Sequence, residues 1–171
     1  GSMAYADRAR SGNDAIDAYF NFEMIGYATS EPNTQTLPAG FAAFFQDAAE
    51  EVEVNEYRGD FIGAIADPQS ASAMLALEHH ADRIGLPFVP LTVPADLLDS
   101  IVTQDLRRSD HASFWANQYP GIMLTDTANF RYDRYHCMAG EDSVDQLNLP
   151  FAANVVRATV GAAAEALGLP R

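Results

Sequence analysis

The sequence predicts an α/β fold, specifically a three-layer α/β/α sandwich, because short apolar runs alternate with segments of helical spacing. The run at 59–67 has the continuous apolar character of a buried strand, and residues 68–85 after it have helical periodicity. Such alternation is typical of a sheet covered by helices on both faces. The length of 171 residues, 48% of them hydrophobic, fits a single domain over 1–171 with its own core.

The first half of the chain contains a helix, two strands and a loop. Residues 4–13 are predicted to be the end of a helix that closes at a Gly-Asn pair. The near-continuous apolar run at 15–28, which contains Tyr and Phe, predicts a buried strand. The Pro, Gly, Asn and Thr content of 30–40 predicts a loop, and 59–67 is the second strand.

The second half begins with the helix at 68–85, which Gly85 ends. Its apolar positions at helical spacing are Met74, Leu77, Ala81 and Ile84. Four further elements are predicted: a peripheral, proline-interrupted strand at 86–94, a short helix at 109–118 with Ser109 as N-cap, a buried strand at 120–127, and a closing amphipathic helix at 149–168.

The composition excludes several classes of function. The formal net charge is -14, and all ten basic residues are arginine, so nucleic acid would be repelled and is not an expected partner. No apolar stretch is long enough to span a membrane, which predicts a soluble protein, either cytoplasmic or exported. The single cysteine, Cys137, excludes an internal disulfide and a cysteine-rich zinc site, so a metal would need carboxylate and imidazole ligands.

Glu23 is the first candidate site residue, because it lies in the middle of the apolar run NFEMIGYAT. A buried, unpaired carboxylate is unfavourable by several kcal/mol or more. A basic side chain, a cluster of amide donors or a metal ion must therefore compensate it. Glu23 also lies towards the carboxyl end of its predicted strand, where ligands gather in α/β sheets.

The loop at 125–148 carries the densest set of polar residues in the chain. His136 follows Tyr135 there and is surrounded in sequence by carboxylates, a combination that suits zinc. Both side chains can face one site only if the backbone is not a regular strand, in which neighbours point to opposite faces. A purely structural role for Glu23, paired with an arginine, or for His136 stays open at this point.

Seven motifs follow one another along the chain: FEMIGY, QTLPAGF, GDFIGAIAD, LP-x-VP, SDHASFW, PGIMLTDTANFR and YHCMAGEDSVDQL. In this order they resemble metallopeptidase family 28, the co-catalytic zinc aminopeptidases and carboxypeptidases, whose relatives include glutaminyl cyclases. The resemblance extends from about residue 4 to 168. It implies a mostly parallel, mixed sheet of the zinc-peptidase type and a peptide substrate.

The resemblance also implies roles for individual residues. Glu23 matches the acidic metal ligand at the end of a strand, and His136 matches the last histidine ligand. Tyr135 matches the tyrosine that stabilises the oxyanion of the tetrahedral intermediate.

Four further residues match positions beside the family's site. Asp110 and His111 match its Ser-Asp-His segment, which implies a role in supporting the metal ligands. Asp142 and Asp145 match the acidic pair that follows the histidine, although their spacing from it is longer here.

The segments that precede the FEMIGY strand in the family are absent from this sequence. The family has a His-x-Asp segment and then a Glu-Glu pair upstream of the FEMIGY strand, and the only Glu pair here, Glu50-Glu51, lies downstream of it. We therefore expect the chain to be the C-terminal part of a zinc exopeptidase domain, inactive alone and binding the family's two zinc ions weakly or not at all. Missing strands would leave an open sheet edge that invites homo-oligomerisation or pairing with the absent half.

Two other functions stay open. The chain could be a non-catalytic module that keeps the peptidase-like fold for binding or assembly. It could also be a glutaminyl-cyclase-like transferase on the same scaffold.

Overall fold

A computed structural model describes residues 1–169 as one four-stranded sheet with helices on both faces. The strands are β1 (Phe20–Phe22), β2 (Ile62–Ala66), β3 (Phe88–Thr92) and β4 (Ile122–Thr125). The helices are α1 (Ser2–Gly12), α2 (Phe41–Phe44), α3 (Gln46–Val54), α4 (Ala71–Arg83), α5 (His111–Ala116) and α6 (Leu149–Ala166). Among these residues, no helix is both long and apolar enough to cross a membrane.

The strand order is β1-β4-β2-β3. β1 runs parallel to β4 and β2 parallel to β3, whereas β2 and β4 are antiparallel. The α/β fold class with a mostly parallel, mixed sheet is therefore confirmed. The prediction that the proline-containing strand is peripheral also holds, because β3 is an edge strand and Pro90, which has no N–H to donate, is tolerated there.

Each face of the sheet has its own apolar core. On one face, α4 and α6 pack through Leu77 and Val155 against Ile62 and Leu124. On the other face, Phe45, directly before α3, packs with Val52 of α3, Trp115 of α5 and the sheet residues Ile65 and Met123. The result is the predicted three-layer arrangement.

Local signals explain most element boundaries. α1 ends at Asn13, whose left-handed backbone (φ 54°) closes the helix as the Gly-Asn pair predicts. Asp67 caps the turn that leads into α4 by accepting hydrogen bonds from the Gln69 N–H and the Ser70 hydroxyl. The Asn148 side chain caps α6 by accepting from the Phe151 N–H.

The predicted strand at 15–28 is much shorter in the structure, where only Phe20–Phe22 is extended. Met24 has a positive φ of 55°, which an extended strand does not allow. Two short helices, α2 and α3, lie in a region for which no element was predicted.

Ser109 is not the N-cap of α5, contrary to the prediction. The helix begins at His111, its N-cap residue is Asp110, and no side chain caps it. The Ser109 hydroxyl instead bonds to Glu23.

Candidate functional site

An apolar cleft lies at the end of the sheet where β1 and β4 finish. Sheet residues Ile65 and Met123 line its base, and Phe41 from α2 lines a wall. The polar residues Glu23 and Tyr135 also line it. A concave, mostly apolar site with a few convergent polar groups is the usual form of a small-molecule or side-chain pocket.

Glu23 directly follows β1 and is half-buried. Its backbone N–H donates to the Leu124 carbonyl at 2.9 Å, so the residue still pairs with β4. The Ser109 hydroxyl donates to Glu23 Oε2 at 2.5 Å and accepts from the Asn21 amide at 2.7 Å. The Glu23 carboxylate thus accepts a hydrogen bond from a serine hydroxyl, which was not among the partners expected from the sequence.

The segment after Glu23 is held by Asp126, which is buried at the end of β4. Its carboxylate accepts from the backbone N–H groups of Gly26 (3.0 Å), Tyr27 (2.8 Å) and Ala128 (3.0 Å). Burial raises the pKa of Asp126, while these donors and Arg131 lower it. Asp126 thus fixes the course of the chain after β1, away from the regular strand that was predicted.

Arg131 joins three loops behind the cleft. Its Nε donates to Gln35 Oε1 at 2.8 Å, its Nη1 donates to the Phe61 carbonyl at 2.9 Å, and its guanidinium lies 4.6 Å from the centre of the Phe61 ring. Burial lowers the pKa of Arg131 to about 10. Gly59 makes room for it, because a Cβ there would lie 2.7 Å from Arg131 Cδ. These contacts identify Arg131 as part of the frame around the site.

Tyr135 and His136 lie in a short 3-10 turn, Tyr135–Cys137, so the predicted irregular backbone is present. Tyr135 is half-buried and lines the cleft together with Glu23. His136 is exposed, has a left-handed backbone (φ 57°), and its ring centre lies 4.1 Å from that of Tyr135. The structure therefore brings Tyr135 to the same cleft as Glu23 and leaves His136 beside it, outside the lining.

His111 and Asp110 lie away from the cleft surface. His111 is fully buried, its Nε2 hydrogen-bonds to the Leu106 carbonyl at 2.8 Å, and its ring meets Trp115 edge to face. Burial lowers the pKa of His111 to about 4, so the ring is neutral at pH 7. Leu106 lines the cleft, so His111 supports the wall from behind. Asp110 is exposed and accepts from the Ser2 hydroxyl at 2.8 Å.

Asp142 and Asp145 are exposed and do not line the cleft. Asp142 accepts from the Tyr132 hydroxyl at 3.2 Å, and Asp145 accepts from the Ser143 hydroxyl at 2.6 Å, a bond that lowers the pKa of Asp145. Within residues 1–169, no group of three or more His, Cys, Asp or Glu side chains is arranged to hold a metal ion.

Sequence reasoning missed Ser109 as the partner of Glu23, and it missed the helical wall of the cleft. The two residues are 86 positions apart, and no local pattern links them. The wall includes Phe41 and Val52, from α2 and α3. The spacing of buried Ala48, Ala49 and Val52 is a helical signal, although a short one.

Known proteins give two useful similarities. The chain is 30% identical over 159 residues to the Uncharacterized protein YfbL of Escherichia coli (strain K12), a match that covers 90% of this chain and 43% of that protein. It is also similar in structure to the LapA aminopeptidase of Legionella pneumophila, with a TM-score of 0.56 and 16% identity over 96% of this chain and 35% of that one. No family model matches the chain.

These similarities concern the fold. The chain has a peptidase-like α/β fold similar to that of an aminopeptidase, which confirms the coarser part of the resemblance. The chain spans less than half of the curated relative and about a third of the aminopeptidase chain. Membership of metallopeptidase family 28 stays a prediction.

Proposed function

We propose that this chain is the substrate-binding part of a peptidase-like hydrolase and that its cleft takes an apolar side chain of a peptide. One observation carries the proposal: Glu23 and Tyr135, which are 112 positions apart, line the same apolar cleft. The peptidase-like fold supports it as well. Apolar lining selects an apolar side chain, and the polar residues are available to the peptide backbone.

Glu23 and Tyr135 have different chemistry to offer. The Glu23 carboxylate, oriented by Ser109, attracts a cation, which is either a metal ion or the α-ammonium group of a peptide. The Tyr135 hydroxyl can donate to a carbonyl oxygen that gains negative charge during hydrolysis. Such a donor is worth about 2.7–4 kcal/mol in comparable sites.

Zinc would supply activated water in the reaction that the family resemblance implies. Glu23 and His136 are the ligands it assigns in this chain, and a catalytic zinc needs about three protein ligands. The described residues hold no group of three possible ligands. These residues therefore do not fit a zinc ion by themselves.

A non-catalytic binding module is the second candidate function. The cleft favours it, because its apolar lining and its two polar residues are sufficient for binding without turnover. Binding and hydrolysis must therefore be measured separately.

Calorimetric titration with leucine amide and glutamate amide tests the binding site. We expect leucine amide to bind more tightly, and Glu23→Gln and Tyr135→Phe to weaken its binding about tenfold or more. Glu53→Gln and Tyr5→Phe, at exposed positions outside the cleft lining, are matched controls that should bind normally. Equal affinity for both amides, or no effect of either cleft variant, would refute the proposal.

Activity and metal content then separate the candidate functions. Release of nitroaniline from a leucyl-nitroanilide, together with zinc bound per chain, indicates a peptidase. Binding of leucine amide without turnover or zinc indicates the binding module. Cyclisation of an N-terminal glutaminyl peptide indicates the transferase.

A further inference from the structure

The outer face of α6 is apolar along its whole length, although it faces solvent. Leu149 is 66% exposed, Val160 63% and Leu167, directly after the helix, 76%. The opposite face is buried in the core through Phe151 and Val155. Exposed apolar patches of this extent are uncommon on monomers and mark interaction surfaces. The outer face consists of Leu149, Ala153, Val156, Val160, Ala163 and Leu167.

The spacing of these six residues alternates between four and three, which is the pattern of a coiled-coil seam. Their order is also the same in both directions: Leu, Ala, Val, Val, Ala, Leu, centred on Ala158. Two copies of the helix placed antiparallel therefore match residue for residue. The layers are Leu149 with Leu167, Ala153 with Ala163, and Val156 with Val160. This self-complementarity favours a second copy of the chain over an unrelated helix.

The charge distribution permits such an approach. The chain has a net charge of -14, so most of its surface repels a second copy. α6 carries only two charged residues, Arg157 and Glu165. Glu165 faces α4, where its carboxylate lies 3.5 Å from His80 Nε2. The seam itself is free of carboxylates.

The size of the face is sufficient for a weak specific dimer. An 18-residue helix is roughly 27 Å long. Two such faces packed along their length bury on the order of 1,000 Å² in total, which is the lower limit for a specific interface. The small Ala153 and Ala163 layers allow the two backbones to come close together.

We propose that the chain forms a two-fold symmetric dimer in which the α6 helices pack antiparallel, with the axis near Ala158. α6 covers the face of the sheet that carries Ile62 and Leu124, whereas the cleft is lined by Ile65 and Met123 of the opposite face. Both clefts stay open in the dimer. The inference is therefore independent of the proposed function.

Sedimentation equilibrium of the full chain tests the dimer at concentrations up to about 100 µM, the range suited to an interface of this size. We expect Val160→Glu to raise the dissociation constant about 100-fold or more, because it would bury an unpaired carboxylate in the seam. Leu75→Glu is the matched control, since Leu75 is an equally exposed apolar residue on α4. Higher salt should tighten the dimer by screening the repulsion between the acidic copies.

A second variant separates α6 from the open sheet edge. Phe22 on β1 is 44% exposed, and Phe22→Glu should leave the dimer intact. A chain that stays monomeric, or one that dissociates with Phe22→Glu and not with Val160→Glu, would overturn the proposal.

Disulfide crosslinking tests the antiparallel register. The native thiol is removed by Cys137→Ser. A mixture of Ala153→Cys chains and Ala163→Cys chains should then crosslink under mild oxidation. Crosslinking of Ala153→Cys chains with each other in place of the mixed pair would show a parallel helix pair and contradict the antiparallel dimer.

Discussion

Two carboxylates near the end of the sheet have opposite environments. Asp126 is buried and accepts hydrogen bonds from three backbone N–H groups. Glu23 is half-buried, accepts from one serine hydroxyl, and lines an open cleft. A carboxylate surrounded by backbone donors is bound to the frame of the protein, whereas one with a single partner and an open side retains capacity for a ligand. The hydrogen-bond partners of each carboxylate, and not its position in the sequence, therefore distinguish a structural acid from one that is available to a ligand.

The largest expected effect is the loss of Asp126. Asp126→Ala leaves three backbone N–H groups without their acceptor and removes one of the two carboxylates that act on Arg131, the other being Asp60. The free energy of unfolding should fall by about 3–5 kcal/mol. Urea denaturation measures this, and Asp133→Ala, at an exposed carboxylate, should change it by less than about 0.5 kcal/mol. Similar losses for the two variants would remove the distinction between frame and surface carboxylates.

The pH dependence of stability tests a second buried group, the neutral imidazole ring of His111. Its pKa is about 4 in the folded chain against an ordinary 6.5, chiefly because burial disfavours the charged ring. The unfolded chain therefore binds this proton more readily. The stabilisation is complete above pH 6.5 and is lost as the pH falls towards 4, by on the order of 3 kcal/mol.

The His111 contribution is isolated by comparing the chain with His111→Gln at pH 7.5 and pH 4. Other titrating groups, including Asp126, are common to both chains and cancel in the difference. The gap in unfolding free energy between the two chains should narrow at the lower pH. A gap that stays constant would mean that His111 titrates normally.

Gly59 and Gly63 differ in how closely an added Cβ would approach its neighbours. A Cβ at Gly59 would lie 2.7 Å from the Arg131 side chain, which hydrogen bonds hold in place, so Gly59→Ala should be destabilising by about 1–3 kcal/mol. A Cβ at Gly63, which lines the cleft, would make an ordinary contact of 3.5 Å with the Thr125 carbonyl. Gly63→Ala should therefore leave stability nearly unchanged. Thermal unfolding compares them, and equal shifts would indicate that Arg131 moves aside freely.

The sequence was most informative where local signals determine structure. Periodicity and end signals predicted α1, α4, α6 and the three strands after β1, and Asn13 ends its helix as expected. β1 was predicted too long because Asp126, about 100 positions away, bonds to the amides of Gly26 and Tyr27 and directs that segment away from the sheet. A long-range hydrogen bond of this kind leaves no periodic trace in the sequence.

The candidate site, like the fold, was predictable only where a local sequence signal marks it. The isolated acid in an apolar run marked Glu23, and the polar loop marked Tyr135, which shares its cleft. The loop's other acids could not be assigned from composition, because Asp126 is enclosed by backbone donors while Asp142 and Asp145 are exposed. Burial and partners, which depend on the tertiary fold, decide between these roles.

A smaller loss of stability than for Asp126→Ala is expected for Ser109→Ala, which removes the partner of Glu23. The buried Asn21 amide also loses its acceptor, so the free energy of unfolding should fall by about 1 kcal/mol. Leucine amide should bind about three to ten times more weakly, because the carboxylate is no longer oriented. Ser143→Ala removes a similar serine–carboxylate bond away from the cleft and should not change that binding. If Ser109→Ala lowered the free energy of unfolding as much as Asp126→Ala, Glu23 would have a structural role like that of Asp126. It would then not be available to bind a ligand in the cleft.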